Sequence, residues 1–188
     1  MRAVAIDHCA QATPGQKVQH LRKVSHLALK GHLLVEESLG RIIAQHCRAA
    51  SVLDDVKMTF YVKTKLARAL VGDLHGAALW VLVWKLYLIH TDVVHKVESS
   101  GVRRLIKNLI EAKSRWAEEP LPAITNDDQL ATRFADSIQC VLGALAAIEM
   151  RVRENAASGG GKSFTRKGVI KHVVPNYTKT RLAATTGG

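Results

Sequence analysis

The chain has 188 residues, 47% of them hydrophobic and 5% aromatic, with a formal net charge of +11. That length holds one domain with a real core, and the dominance of Leu, Ala, Val, Lys, Arg and Glu argues against a sandwich or barrel and for helices. The three cysteines, Cys9, Cys47 and Cys140, are far apart and odd in number. They exclude a disulfide framework or a zinc knuckle, and a reducing cytoplasm is the expected compartment.

Residues 1–13 read as an arm without an apolar core of signal-peptide length. Thr13-Pro14 predicts a helix start, a capping residue followed by proline in the first turn. From there Leu21, Val24, Leu27, Leu34, Val35, Leu39, Ile42 and Ile43 recur at helical spacing, with Gly31 either dividing two helices or tolerated inside one. "RAASVLDDVK" breaks the pattern. "MTFYVKTKLARALVG" resumes it with Phe60, Leu66 and Leu70 inward and Gly72 as a stop. The next block, Leu74 to Val97, is apolar nearly all round at its start, as befits the centre of a bundle. Its longest apolar run is about fourteen residues and contains Lys85, too short for a bilayer, so a soluble protein with no membrane partner is expected.

Ser99, Ser100 and Gly101 punctuate the chain, and "VRRLIKNLIEAKSRW" follows with Leu105, Leu109 and Ile110 inward. A loop leads to Asn126 or Asp127 as cap of a last helix, about Gln129 to Asn155. It carries Phe134, Ile138, Val141, Leu142, Leu145 and Ile148 on its core face. The expected architecture is all-α, a bundle of about five helices over residues 14–155. Residues 156–188 form a basic tail expected to be flexible. From Arg151 onward eight cations face the single acid Glu154, a net +7 of the +11, which leaves +4 for the body. Such a charge fits a polyanion as partner, nucleic acid above all.

Chemistry-bearing signals are few. "SGGGKS" lacks the first glycine of a phosphate loop, since that position is Ala156, and it follows a helix instead of a strand. The histidines share no metal-ligand spacing, so neither a metal nor a cofactor is expected. Trp80 and Trp84, four apart on one helix face, read as core or as an interface between copies rather than as a base-stacking platform. Glu36 has apolar neighbours that would draw it inward. His90 and His95 lie five apart, about 140° around a helix, and so do not share one face.

Three blocks, "LKGHLLVEESLGRII", "MTFYVKTKLARAL" and "WKLYLIHTDVVHKVES", resemble in order and spacing the helical HEPN superfamily. Its pattern has an acid-bearing helix, a Phe-x-x-Lys-x-x-Leu helix, and a helix ending in Leu-Asn-x-Leu-Arg-Asn-x-Leu-Ala-His. Leu86, Ile89, Val93 and His95 fall on the three leucines and the histidine. Tyr87, His90 and Thr91 stand where the pattern has Asn, Arg and Asn, and Val94 takes the alanine place.

The resemblance implies a homodimer with a metal-independent endoribonuclease site across its two-fold axis. Histidine would take the proton of a ribose 2′-hydroxyl and the arginine would clamp the phosphate. On this chain His95 and His90 take the catalytic places, with Glu36 as a further candidate. Lys85, Lys96, Arg103 and Arg104 flank the motif as candidate phosphate contacts. An imidazole is only about a tenth charged near pH 7.4, so His90 is a weak substitute for arginine. The expected function is therefore binding of RNA, or of an antitoxin-like or other protein partner, with ribonuclease activity weak or lost. A toxin–antitoxin or defence system is the setting such folds suggest. The alternatives are an active ribonuclease using His90 and His95, and a helical transcriptional regulator, since "LLVEESLGRII" and "KTKLARAL" are similar to the mannitol operon repressor family too.

Overall fold

The computed structural model describes residues 14–72, 76–95, 99–121 and 123–157. Five α-helices follow one another along them: α1 (Pro14–Gln45), α2 (Phe60–Val71), α3 (Gly76–His95), α4 (Ser99–Trp116) and α5 (Asp127–Ala157). A 3-10 turn at Ala50–Leu53 is the remaining regular element among the described residues, and none of them forms a strand. The chain is the all-helical bundle that its composition and periodicity predict. The arm 1–13 and the basic tail beyond Ala157 lie outside the described residues.

Local chemistry sets the helix ends. Thr59 Oγ1 accepts from Val62 N at 3.3 Å and caps α2. Gly72, with φ of +68°, closes that helix in a conformation glycine adopts without strain. Of the two candidate caps for α5 the chain uses Asn126, whose Oδ1 accepts from Gln129 N at 2.8 Å. Gln129 Oε1 reaches back to Thr125 N at 2.9 Å, so two end-of-helix donors are satisfied reciprocally. Ser99, Ser100 and Gly101 do not break the chain, as the sequence predicts, but form the first turn of α4.

Gly31 does not divide α1, which runs unbroken for 32 residues. A Cβ there would sit 2.9 Å from Ile138 Cδ1, so the glycine leaves the room that this side chain of α5 occupies. Lys23 meets Asp128, Gly31 meets Ile138 and Arg41 meets Glu149, so α1 and α5 run parallel. α4 folds back along α3, and α2 lies against α1 and α3.

The core is shared by all five helices. Leu39, Ile42, Leu79, Leu82, Leu86, Ile89, Ile106, Leu109, Phe134 and Leu145 are essentially removed from water. Each such side chain contributes about 1.5–3 kcal/mol against the conformational entropy lost on folding. On α4 the buried stripe is Val102, Ile106, Leu109 and Ile110, and Leu105 packs only at its edge. Leu34 and Leu70, both expected inside, lie largely at the surface. By length and hydropathy α3 and the Asp127–Ala156 segment suffice to cross a membrane, contrary to the reading of the fourteen-residue run alone. Leu79, Leu82, Val83, Leu86 and Ile89 of α3 account for its apolarity by packing into the bundle.

Candidate functional site

Where α1, α2 and α3 meet, the polar side chains that the core excludes elsewhere come together. His32 and Glu36 stand one turn apart on α1. His32 is buried because α1 turns the stripe of Ala28, His32, Val35 and Leu39 inward. Its Nε2 lies 3.6 Å from Glu36 Oε2. Glu36 is half-buried, and its Oε1 accepts from Lys63 Nζ at 2.8 Å. Lys63 reaches it from α2, one turn beyond the buried Phe60.

From α3, His90 lays its imidazole flat on that of His32, with ring centroids 3.8 Å apart and planes 9° from parallel. The Nδ1 atoms of His32 and His90 have no hydrogen-bond partner among the described residues. Phe60 closes one side, 4.5 Å from the His32 ring, and Tyr87 stacks on Phe60 at 5.0 Å. The rings continue outward through Trp84, 5.0 Å from Tyr87, to Tyr61, 5.9 Å from Trp84. Four rings thus lead from the surface to the two stacked imidazoles.

The electrostatics follow from burial. Desolvation, with His90 alongside and Lys63 adding to it, pushes His32 down to about 4 despite the opposing carboxylate of Glu36. Burial lowers His90 as well; Glu36 opposes the shift and His95 adds to it. Both imidazoles are therefore neutral at pH 7, each able to accept one proton and donate another. What the cluster holds is a neutral acid–base pair beside a carboxylate already neutralised by lysine. Its one cation, Lys63, is taken up by Glu36 and leaves none to clamp a phosphate.

The other predicted residues are dispersed. His95 is exposed in the last turn of α3, on the outward face with Val81, Trp84 and Leu88. The 140° between His90 and His95 sends one inward and the other out. Lys85 is half-exposed just beyond Trp84. Arg103 and Arg104 are exposed on α4 near Gly101, which meets Asp92 some seven residues past Lys85, about 10 Å along the axis. Arg103 is ion-paired with Asp127 at the start of α5. Lys96 lies outside the described residues. Among the described residues no group of three His, Cys, Asp or Glu side chains is placed to hold a metal ion.

The sequence reading missed His32 and Lys63. Both left a signal, His32 as the residue one helical turn before Glu36 and Lys63 as the lysine of Phe-x-x-Lys. The chain matches no protein-family model, no curated protein and no solved structure.

Proposed function

We propose that the chain is a degenerate HEPN-like protein that binds RNA and cleaves it weakly or not at all. One observation carries the reading: the three sequence blocks of the resemblance, far apart in the chain, converge on one contact cluster. The acid-bearing helix meets the Phe-x-x-Lys helix in the Glu36–Lys63 pair, and the motif helix joins them through His90 on His32. Three loosely specific matches that meet in space support the family more than the same matches in sequence alone.

The degeneracy rests on His90. In the arginine's place stands a half-buried neutral ring, so charge building on a phosphate finds no fixed cation there. Loss of one such transition-state donor costs about 10²–10³ in rate. His95, exposed on α3, remains available as a base but lacks that partner.

The test is incubation of labelled total RNA with the purified protein in EDTA, beside His90→Arg and His95→Ala. Salt-dependent binding with little cleavage by the wild type, and cleavage gained in His90→Arg, is the expected result. Rapid wild-type cleavage lost in His95→Ala would instead establish an active nuclease, and no RNA binding at all would overturn the proposal.

A further inference from the structure

We infer that the outward corner between α2 and α3 is a platform on which single-stranded nucleic acid stacks its bases. The inference rests on the RNA-binding reading above and gives it a surface.

Most aromatic side chains of the cluster are covered, but the two outermost are not. Tyr61 is 52% exposed and Trp84 37% exposed, while Trp80, one turn away, is buried at 4%. Their rings meet edge to face, 5.9 Å apart at 74°. Lys65 Nζ sits 5.4 Å from the Tyr61 ring centroid, and Lys85 follows Trp84 directly. Exposed aromatic rings flanked by lysines are what single strands need, a π-face for each base and a cation for each phosphate.

Charge selects the occupant. Beside the two rings stand Lys65, exposed on α2, and Lys85, half-exposed on α3, and the one carboxylate of these two helices is Asp92. Asp92 is buried, and Lys63 is held by Glu36 from α1. Val81 and Leu88 beside Trp84 would suit a second copy of this chain, but two copies set face to face bring like charge onto like. A polyanion with planar bases satisfies both features of the corner.

The test uses the full chain and two fluorescent probes of equal charge. One is an oligouridylate about twelve nucleotides long and the other an abasic ribose-phosphate chain of the same length. The wild type is expected to prefer the oligouridylate. Trp84→Ala is expected to weaken that probe by about 5- to 150-fold, toward the abasic level, while Trp84→Phe keeps most of the preference. Lys65→Gln is expected to reduce the slope of log K against log salt by about 0.7.

Equal binding of both probes by wild type and Trp84→Ala would overturn the platform and leave RNA binding to another surface. No binding of either probe would sink both readings. A wild-type dimer that Trp84→Ala turns into a monomer, with RNA affinity unchanged, would assign the corner to a second copy.

Discussion

Arg41 and Glu36 lie five residues apart on α1 and anchor it to different neighbours. Arg41 Nε and Nη2 donate to the two carboxylate oxygens of Glu149 on α5 at 2.9 and 3.2 Å. Nη2 also donates to Ser38 Oγ at 2.9 Å, and Nη1 lies 2.8 Å from Glu37. The hydrogen bonds to Glu149 hold the guanidinium above its ordinary pKa. Glu36 has one hydrogen bond from lysine, an imidazole beyond hydrogen-bonding distance, and behind it two stacked rings with unpartnered nitrogens. A fork-to-fork pair with every group engaged ties α1 to α5 and needs no other explanation. Buried imidazoles left short of partners serve stability poorly, and the cluster that contains them is where the motif blocks meet. The difference teaches which face of the helix is scaffold and which face is site.

The contrast breaks most visibly with pH. His32 is buried with its pKa pushed down to about 4, against 6.5 in the unfolded chain. The unfolded chain therefore binds more protons in acid. Stability is complete above about pH 6.5 and falls as pH drops toward 4, by about 3 kcal/mol from this group. His90, lowered in the same direction, adds to the loss. The groups facing His32 are Glu36 on its own helix, Lys63 from α2 and His90 from α3. His32→Phe keeps a ring against Phe60 and His90, so its stability at pH 7.5 should stay close to wild type. Its urea midpoint should then decline less between pH 6.5 and 4; a slope equal to wild type's would remove His32 from the account.

The scaffold pair should respond to mutation. Arg41→Met leaves the carboxylate of Glu149, 10% exposed, with Arg153 at 4.0 Å as its nearest remaining cation. The expected loss is about 2–3 kcal/mol by urea unfolding. Replacing both partners, Arg41→Met with Glu149→Leu, should recover most of it, because no buried charge is then left alone. If the single variant is as stable as wild type, the pair is ornament and the comparison collapses.

Much of the scaffold was legible because it is local. Pro14 opening α1, Gly72 after α2 and Asn126 before α5 act within four residues of themselves. The helical period likewise marks Val35, Leu39, Ile42 and Ile43 without knowledge of any partner. Where α4 turns its face was harder, because Leu105 and Ile106 are neighbours of equal hydrophobicity and packing against α3 and α5 decides between them. The candidate site was legible in part. Glu36 and His90 stood out as residue types, but their convergence joins helices 54 residues apart in sequence. No periodicity reports that His32 lies flat on His90. Trp84 was singled out together with Trp80 but not told apart from it: at helical spacing the two look alike, and only the fold shows that one is covered and the other is not.

Glycine gives the smallest test and the sharpest contrast within one helix. Both Gly31 and Gly40 sit inside α1, where alanine would gain up to about 1 kcal/mol in helix propensity. A Cβ at Gly40 meets nothing within 4 Å, so Gly40→Ala should stabilise the protein by about 0.5–1 kcal/mol. At Gly31 the same methyl would press on Ile138 Cδ1, Cγ2 and Cγ1 at 2.9, 3.0 and 3.2 Å. All three atoms belong to a β-branched side chain buried between α1 and α5, with little freedom to move aside. Overpacking of this kind costs about 1–3 kcal/mol, which exceeds the propensity gain, so Gly31→Ala should lose about 1 kcal/mol. The cost should shrink when Ile138→Ala opens the space. The double variant is then less destabilised than the two singles added together, and strict additivity would mean that α1 and α5 do not meet at Gly31.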